Sequence, residues 1–261
     1  MKAKKSLGQN FISDEMLISQ IVDVSGAGED DYVLEIGPGR GALTYELSER
    51  VKRLTAVELD DDLIGPLKAI FAAKPNVDIV HDDILKYEIP NDVDIIIGNL
   101  PYYITTPIIL GLFEKGVSAR SMTFMVQKEV AERIVSAPGS KDYGVLSISV
   151  QYYADASYEL DVPREYFKPQ PKVDSAIVNL KVKDKRELSK DEEKGFFTLV
   201  KTAFIQRRKT LANALTGLCI NNKTFNKEDI GKLLKSADID PMRRPETLSI
   251  SEFIELYRKA K

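Results

Sequence analysis

The sequence is poor in the residues that build disulfides, metal centres and membrane spans. A single cysteine, Cys219, cannot form a disulfide within the chain, which favours a reducing compartment, and we expect it to be a small buried apolar side chain. A single histidine, His81, has no second imidazole beside it as a ligand, so we predict no metal site and a surface position for it. No apolar run approaches the roughly 18 residues of a membrane-spanning helix, and no signal-like apolar segment follows the basic N-terminus. These absences predict a cytoplasmic protein without membrane attachment.

Acidic and basic residues are unevenly distributed along the 261 residues, although the net charge of −3 is small. Residues 181–261 contain 19 lysines and arginines against 12 aspartates and glutamates, whereas residues 1–180 contain 18 against 28. Local charge decides attraction to phosphates, because salt screens charges beyond about 10 Å. A basic C-terminal region on an acidic body therefore suits a polyanionic partner. From charge alone it suits a solvated helical surface equally well.

Short apolar segments alternate with longer amphipathic segments between residues 31 and 183. The candidate strands are residues 32–36, 53–58, 77–80, 94–98, 121–126, 156–162 and 175–182. The first five are rich in β-branched residues and bounded by Gly, Asp or Asn, which is typical of buried parallel strands. The segments between them, such as residues 42–50 and 61–73, have helical patterns. This alternation predicts an α/β fold with a doubly wound sheet.

The strand pattern stops near residue 183, and four helical segments follow at residues 191–204, 210–218, 227–236 and 249–260. A run of charged residues between Lys181 and Lys194 separates the two regions. We therefore predict a catalytic α/β domain over residues 1–183 and a small all-α domain over residues 184–261. The segment Val145–Tyr153 fits either an alternating strand or the face of a helix, and its own pattern does not decide between them.

A glycine-rich turn, EIGPGRG at residues 35–41, joins the first candidate strand to the first candidate helix. Glycines let the backbone turn sharply and approach a ligand closely. In doubly wound sheets this turn is the usual nucleotide site, at the carboxyl ends of the strands. The spacing G-x-G-x-G differs from the dinucleotide pattern G-x-G-x-x-G, and the acid Glu35 argues against a phosphate at this position.

Two acids at the ends of the next strands narrow the choice of ligand. Glu58 ends the second candidate strand, about 20 residues after the glycines, where an acid hydrogen-bonds ribose hydroxyls in this architecture. Asp83 follows the third candidate strand, where its carboxylate can accept a hydrogen bond from an adenine amino group. Ribose and adenine without phosphate describe S-adenosylmethionine, which we predict as the cofactor. The alternative for both acids is capping of the next helix, although Asp60 and Asp61 are also placed to cap the helix after Glu58.

The fourth candidate strand runs into Asn99-Leu100-Pro101-Tyr102, an Asn-x-Pro-Tyr pattern that fits chemistry on an amine. The exocyclic amine of adenine is a weak nucleophile because its lone pair is conjugated with the ring. Acceptors for both of its N–H bonds would draw the nitrogen towards a tetrahedral geometry. The Asn99 side-chain oxygen and the Leu100 main-chain oxygen can supply them, since Pro101 keeps residue 100 extended. Tyr102 can stack on the base, which is worth roughly 1–3 kcal/mol. The alternative is a proline-containing turn with a chance asparagine.

A base that has left its stack would benefit from a second aromatic face in the pocket. Phe167 lies in the proline-rich segment 167–175, just before the last candidate strand, and we predict that its ring supplies this face. The alternative is an aromatic residue that caps the core. The two roles need the same residue type, so the sequence leaves both open.

Together these segments resemble the ribosomal RNA small-subunit adenine dimethyltransferase family of bacterial type. The resemblance covers nearly the whole chain and is carried by residues 5–12, 34–44, 58, 83, 99–103, 124–131, 167–175 and 204–211. It implies N6,N6-dimethylation of two adjacent adenosines in the 3′-terminal hairpin of small-subunit (16S) ribosomal RNA, with a role in small-subunit biogenesis. It also implies a Rossmann-like class I methyltransferase fold with a seven-stranded, mostly parallel sheet whose last strand is antiparallel, and a helix at Val145–Tyr153.

The resemblance also assigns individual residues. The implied cofactor contacts are Asn10, Ile12, Gly37, Glu58, Asp83 and Asn99, and the implied base site consists of Asn99, Leu100, Pro101, Tyr102 and Phe167. The family usually has leucine at the position of Ile12, which is a mild change if the contact is made by the main chain. Arg207, Arg208 and Lys209 are the expected RNA contacts outside the pocket, because guanidinium groups match phosphate geometry. From their own pattern these three residues would be a solvated helix end. The expected partner is 16S ribosomal RNA within the small subunit or its precursor, bound by a monomer.

Three other functions fit parts of the pattern. Large-subunit adenine methyltransferases that confer macrolide resistance usually carry isoleucine at the position of Leu100. A DNA adenine methyltransferase would usually show a second proline at that position, and no DNA target-recognition domain is evident. A non-catalytic ribosome-assembly factor that keeps the fold is disfavoured by the intact Asn99 and the acids at the strand ends.

Overall fold

The computed structural model describes Lys4 and residues 8–261, so residues 1–3 and 5–7 lie outside the described part. The chain forms two compact units. The first contains the described residues up to Glu132 together with Ala154–Val182, and the second contains Arg133–Tyr153 together with Lys183–Lys261. The chain thus leaves the first unit for the last time next to the predicted boundary. The segment Arg133–Tyr153, which the prediction included in the first domain, belongs to the second unit.

Strands and helices follow one another in the order expected for an α/β protein. They are β1 (Phe11–Ile12), α1 (Glu15–Ser25), β2 (Tyr32–Ile36), α2 (Ala42–Ser48), β3 (Arg53–Glu58), α3 (Asp61–Ile70), β4 (Val77–His81), β5 (Ile95–Asn99), α4 (Thr105–Lys115), β6 (Ser121–Gln127), α5 (Lys128–Val135), α6 (Val145–Tyr153), β7 (Ala154–Val162), β8 (Phe167–Lys168), β9 (Ser175–Val182), α7 (Lys190–Ile205), α8 (Leu211–Ala214), β10 (Cys219–Ile220), β11 (Lys223–Thr224), α9 (Lys227–Ser236) and α10 (Ile250–Ala260). Every predicted strand is present, with bounds that differ by two residues or fewer.

A seven-stranded sheet in the order β4-β3-β2-β5-β6-β9-β7 forms the centre of the first unit. The pairs from β4 to β6 are parallel, and β9 is antiparallel to both of its neighbours. All residues of β2 are buried, as expected for a strand that is covered on both faces. The order reverses between β2 and β5, and a ligand cleft is expected at this switch point. The expectation of a class I methyltransferase sheet with its last strand antiparallel is confirmed.

Two helices of the first unit, α1 and α3, begin at aspartates that cap them. The Asp14 side chain accepts a hydrogen bond from the Leu17 N–H and so caps α1, which ends at Gly26 in the left-handed conformation. Asp60 caps α3 by accepting from the Asp62 N–H. One of the predicted caps of the helix after Glu58 is therefore in place, and Glu58 is not needed for that role.

The second unit is mainly helical. Val145–Tyr153 is a helix, as the family resemblance implied. Its end packs on α7 through hydrogen bonds from the Tyr152 and Tyr153 hydroxyls to the buried carboxylate of Glu193. Helix α7 begins at Ser189, whose side chain and that of Glu192 form a reciprocal capping box.

The region predicted as a helix over residues 210–218 is shorter than expected. Helix α8 covers only Leu211–Ala214, and the chain then turns at Gly217, where φ is +90°, into the hairpin of β10 and β11. Cys219 lies on this hairpin and is exposed, so the expectation of a buried cysteine was wrong. The hairpin places alternate side chains on opposite faces, and that of Ile220 is the buried one.

Candidate active site

An open cleft of about 1260 Å³ lies at the carboxyl edge of the sheet, where β2, β3 and β5 end. Its lining includes every predicted cofactor residue, namely Asn10, Ile12, Gly37, Glu58, Asp83 and Asn99, together with Leu100, Pro101 and Tyr102 of the predicted base site. Parallel strands bring their carboxyl ends to one edge, which explains how side chains so distant in sequence come together. Phe167 is the member of the predicted set that the structure does not bring to the cleft.

The glycine turn forms one wall of the cleft and needs its glycines. Gly37 has a φ of +68° and donates its N–H to the Val57 oxygen at 2.9 Å, which carries the turn onto the end of β3. Gly39 has a φ of +58°, and a Cβ at this position would lie 3.0 Å from the ring of Phe11. The positive φ favours glycine at both positions, and at Gly39 a side chain would also crowd Phe11, so the turn presents mainly backbone to the cleft.

Glu58 is almost fully buried at the end of β3. Its two carboxylate oxygens accept hydrogen bonds from the Gly39 N–H at 3.1 Å and the Asp60 N–H at 2.8 Å. Burial raises the pKa of Glu58, and the backbone N–H groups oppose part of this rise. A carboxylate has about four acceptor positions, so these two bonds hold it in place and leave acceptor capacity for a ligand.

Asp83 follows β4 and combines a local role with its place in the cleft. Its carboxylate accepts from the Leu85 N–H at 3.1 Å and lies 3.8 Å from the Lys86 ammonium. The alternative interpretation, capping of the next helix, does not apply, because residues 84–86 after Asp83 form a turn and the next helix begins only at Thr105. The neighbouring Asp82 also lines the cleft, and its side chain accepts from the Asp83 N–H at 2.7 Å.

Glu35 is a fully buried acid behind the glycine turn, and it also contributes to the cleft lining. Its Oε2 atom has no hydrogen-bond partner within the described residues. Burial raises the pKa of Glu35 to about 8; the Thr44 hydroxyl lowers it in part, and the charge of Glu58 raises it. Glu35 therefore carries a proton at neutral pH, which removes the cost of burying a charge at this position.

Asn99 and Leu100 lie at the end of β5, on the strand next to the one that leads into the glycine turn. The Asn99 side-chain NH₂ donates to the Asn10 main-chain oxygen at 2.9 Å, and the Leu100 N–H donates to the Met125 oxygen at 3.1 Å. Among the described residues, no donor is seen for the Asn99 Oδ1 atom or for the Leu100 carbonyl oxygen. Two acceptors without a partner among the described residues thus belong to residues that line the cleft.

Tyr102 is half-buried, and a hydrogen bond holds its ring in place. Its hydroxyl lies 2.6 Å from the Ser175 hydroxyl at the start of β9. Burial raises the pKa of Tyr102, and the bond to Ser175 opposes part of this rise. The tyrosine therefore stays neutral at physiological pH, and its ring is fixed next to the two acceptors.

Residues 8–12 of the N-terminal segment line the cleft from one side. Strand β1 pairs antiparallel with β8, with Ile12 opposite Phe167. Phe11 lines the cleft, and the Arg40 guanidinium lies 4.5 Å from the centre of its ring. Before this strand, Lys4 contacts the Asp60 carboxylate at 2.5 Å. The segment is thus attached both to the helix cap after Glu58 and to the loop before β9.

Phe167 is 2 % exposed and packs in the apolar core with Leu17, Ile21 and Ile177. The expectation that its ring lines the base site is therefore not met, and its position corresponds to the alternative of a core aromatic. Its strand pairing with Ile12 gives it an indirect role, because it supports the segment that lines the cleft.

Sequence reasoning did not select three further residues of the cleft lining, Phe11, Leu59 and Tyr103. Leu59 and Tyr103 are large apolar side chains that are 48 % and 59 % exposed, directly after Glu58 and Tyr102. For Leu59 the available signal was an apolar residue immediately after the polar end of a strand, and for Tyr103 it was a second aromatic residue directly after Tyr102. Phe11 gave no comparable signal, since its place depends on a strand pairing with residue 168.

The predicted RNA contacts lie in the second unit, in the turn between α7 and α8. Arg208 and Lys209 are exposed, whereas Arg207 is partly buried and donates to the Ser140 main-chain oxygen at 3.2 Å.

His81 is exposed at the surface, as predicted from the sequence. Within the described residues, no group of three or more His, Cys, Asp or Glu side chains is arranged to hold a metal ion. No helix in this part of the chain is long and apolar enough to cross a membrane.

The residues of the cleft fit S-adenosylmethionine. The glycine turn offers backbone without side chains, Glu58 keeps acceptor capacity for ribose hydroxyls, and Glu35 provides a buried oxygen without a partner. Fold and site together define a class I S-adenosylmethionine-dependent methyltransferase.

Comparison with known proteins gives the family. The model of the family described as "Ribosomal RNA adenine dimethylase" matches residues 1–256, and the chain belongs to this family. It is 44 % identical over 260 residues to the ribosomal RNA small subunit methyltransferase A of Alkaliphilus oremlandii, covering 97 % of this chain and 90 % of the relative. It is 45 % identical over 262 residues to the protein of the same name from Geobacillus kaustophilus, covering 97 % and 89 %.

Two solved structures are similar over almost their full length. A dimethyladenosine transferase from Plasmodium falciparum superimposes with a TM-score of 0.83 at 26 % identity, covering 96 % of this chain and 98 % of that one. The 23S rRNA methyltransferase ErmE superimposes with a TM-score of 0.74 at 26 % identity, covering 96 % and 99 %. The fold is thus shared with a dimethyladenosine transferase and with a 23S rRNA methyltransferase.

Proposed function

We propose that this enzyme transfers methyl groups from S-adenosylmethionine to the exocyclic amines of two adjacent adenosines in the 3′-terminal hairpin of 16S ribosomal RNA. The observation that carries the proposal is the pair of acceptors at the end of β5, the Asn99 side-chain oxygen and the Leu100 main-chain oxygen. The 42–45 % identical relatives, which are named small subunit methyltransferases, support the small subunit as the source of the RNA.

The two acceptors match the two N–H bonds of an unmethylated adenine amine. Accepting both bonds reduces the conjugation of the nitrogen lone pair with the ring and directs that lone pair into the cleft. S-adenosylmethionine, when bound, supplies an electrophilic methyl group on a sulfonium. Catalysis by Asn99 and Leu100 consists of positioning and electrostatic stabilisation, and no general base is needed for the attack. The cationic product amine then loses its proton to water.

Tyr102 and the N-terminal segment complete the base site. The Tyr102 ring, held by Ser175, stacks on the extruded adenine. Asn10 fixes the orientation of the Asn99 amide, because a carbonyl oxygen can only accept and therefore faces the NH₂ group. Glu58 and the glycine turn hold the ribose, and Asp83 accepts from the adenine amine of the cofactor.

The second unit supplies the remaining contacts in this proposal. Arg208 and Lys209 are exposed cations on a basic region of the chain and bind RNA phosphates, together with Arg207. We place the enzyme in the cytoplasm, as a monomer that acts on the small subunit or its precursor, and assign it a role in small-subunit biogenesis. In the same proposal, residues 1–183 carry out catalysis and the helical residues 184–261 bind RNA.

A labelling experiment tests the proposal. The purified protein is incubated with labelled S-adenosylmethionine and, in separate reactions, with small subunits that lack the modification, with large subunits and with free mononucleotides. We expect label on two adjacent adenosines of the small-subunit 3′ hairpin, recovered as N6,N6-dimethyladenosine after digestion. Label that appears only on large subunits, on mononucleotides or on the protein itself would overturn the assignment.

A further inference from the structure

A loop next to the cleft carries charges that the proposed catalysis does not use. Residues 163–174, here called the rim loop, connect β7 to β9. Val162 lies opposite Ser175, which in turn lies opposite Gln127 at the end of β6. The rim loop therefore emerges at the carboxyl edge of the sheet, the edge that holds the cleft. The start of β9 is two strands away from Asn99, about 10 Å at the usual strand spacing.

Two contacts attach the rim loop to the walls of the cleft. Lys168 lies opposite Phe11 in the β1–β8 pair, and Phe11 lines the cleft. At the other end, the Ser175 hydroxyl lies 2.6 Å from the hydroxyl of Tyr102. The loop is thus attached at both ends to residues that line the cleft, which places its backbone beside the cleft.

The rim loop is locally basic on an acidic part of the chain. It contains the cations Arg164, Lys168 and Lys172, while residues 1–180 as a whole have ten more acids than bases, 28 against 18. Its acids, Glu165 and Asp174, both contact Arg164, at 3.6 Å from the guanidinium and 3.1 Å from the main-chain nitrogen. Lys168 and Lys172 are exposed, and no ion pair or hydrogen bond of their amines is seen among the described residues.

Other cations of this unit differ from the two lysines. Several are bound to acids, in the pairs Arg50–Asp23, Arg120–Asp31 and Lys128–Asp161. Lys52 and Lys181 are exposed and also lack a described partner, but they lie at the opposite edge of the sheet, before β3 and near the end of β9. Lys168 and Lys172 thus combine exposure, absence of an acidic partner and attachment to the cleft.

We propose that the rim loop binds the phosphodiester backbone of the RNA strand immediately flanking the adenosine in the cleft, through Lys168 and Lys172. The proposal rests on the proposed function, since it takes RNA as the substrate. Two exposed ammonium groups beside a base pocket can bind the phosphates of an RNA strand, and this binding does not depend on the base sequence. Tyr166, whose side chain is 41 % exposed in the same loop, is placed to stack on a base of that strand.

Salt-dependent binding tests this proposal with a matched control. The variant carries Lys168→Gln and Lys172→Gln, and the control carries Lys52→Gln and Lys181→Gln, which removes the same charge at the opposite edge. Affinity for unmethylated small subunits is measured over a series of monovalent salt concentrations at constant Mg²⁺. Methyl transfer kinetics, cofactor affinity and thermal stability are measured for both variants.

We expect the rim-loop variant to bind about tenfold more weakly at low salt, with a slope of log affinity against log salt reduced by about 1.4, the value for two single-strand phosphate contacts. KM for the subunits should rise, while kcat and cofactor affinity stay at the wild-type values. The control variant should match the wild type in every measurement. A rim-loop variant with unchanged affinity and slope would overturn the proposal. If the wild type itself does not methylate small-subunit adenosines, the proposed function fails, which is a separate result.

Discussion

The side chain of Asn99 and the main chain of Asn10 are joined by a hydrogen bond of 2.9 Å, across 89 residues of sequence. This bond links the end of β5 to the segment that lines the cleft. The bond also fixes the orientation of the Asn99 amide, because the Asn10 carbonyl can only accept a hydrogen bond and the NH₂ group must therefore face it. The remaining amide oxygen is then available as an acceptor.

Substitution of Asn99 should separate catalysis from folding. Asn99→Ala removes one of the two acceptors for the adenine amine, and we expect single-turnover methyl transfer to slow by about 10²-fold or more. The measurement is rapid-quench transfer of labelled methyl groups to unmethylated small subunits. Asn91→Ala, at an exposed asparagine outside the cleft lining, should keep the wild-type rate. Transfer by the Asn99 variant within twofold of the wild type would remove the acceptor pair from the mechanism.

Glu58 should determine affinity for the cofactor. Glu58→Gln replaces a charged acceptor of ribose hydroxyls, so we expect S-adenosylmethionine to bind about 10- to 100-fold more weakly in calorimetric titrations. RNA binding should stay near the wild-type level. Because both oxygens of Glu58 also accept backbone N–H groups, some loss of thermal stability is expected as well. The control Asp61→Asn neutralises a nearby exposed acid and should leave cofactor affinity unchanged; equal affinities for all three proteins would place the ribose elsewhere.

Glu35 should make stability depend on pH. Its pKa is about 8 in the folded protein and 4.5 for an ordinary glutamate, so the folded state keeps a proton that the unfolded chain releases. Its contribution to stability is fully present below pH 4.5 and is lost as the pH rises to about 8, by a total on the order of 5 kcal/mol. Glu35→Gln is neutral at every pH, so its stability advantage over the wild type should grow from pH 5 to pH 8 and then level off. Urea unfolding at several pH values measures this difference.

The exposed Glu29→Gln variant serves as the control for the pH experiment, since it removes one acid without changing a buried group. Its unfolding free energy should follow that of the wild type across the range. Parallel profiles of the Glu35 variant and the wild type from pH 5 to pH 9 would show that the buried carboxyl is not protonated in the folded state.

Local patterns in the sequence were sufficient to predict the sheet and the convergence of the strand ends. The segments of β2, β3 and β9 match their predicted bounds, because their apolar runs are bounded by glycine or charged residues. Glu58 and Asn99 could be placed in one cleft because parallel topology alone brings strand ends together.

Features that depend on distant pairing were not predictable. Strands β1 and β8 have two residues each, which is too few for any periodicity, and they pair across more than 150 positions of the sequence. The assignment of Arg133–Tyr153 to the second unit depends on the surface against which its helix packs. An amphipathic pattern shows that a helix packs on something, but it does not identify that surface. Phe167 illustrates the same limit, because an aromatic ring suits a core and a base pocket equally.

The basic turn of the second unit should contribute to RNA affinity in a salt-dependent way. Arg208→Gln with Lys209→Gln removes two exposed cations and leaves in place the hydrogen bond of Arg207 to Ser140. We expect weaker binding to small subunits, with the largest difference from the wild type at low salt, because fewer counterions are released. Lys232→Gln, on an exposed lysine that pairs with Glu228, is the control. Identical binding curves for the double variant and the wild type at all salt concentrations would exclude this turn from the interface.

Gly98 should be required for the packing of the central strands. A Cβ at this position would lie 2.6 Å from the Ile36 main-chain oxygen on the neighbouring strand, and backbone atoms in the middle of a sheet cannot move aside at low cost. We therefore expect Gly98→Ala to lower the free energy of unfolding by about 3 kcal/mol, measured by urea denaturation. Gly111→Ala, in helix α4, meets only an ordinary contact of 3.7 Å with the Leu85 side chain and should stabilise the protein by about 0.5–1 kcal/mol. Since the Gly98 position separates the end of β2 from the end of β5, the alanine variant should also bind S-adenosylmethionine more weakly. An alanine at position 98 that leaves both stability and cofactor affinity unchanged would mean that the two strand ends are farther apart than the structure places them.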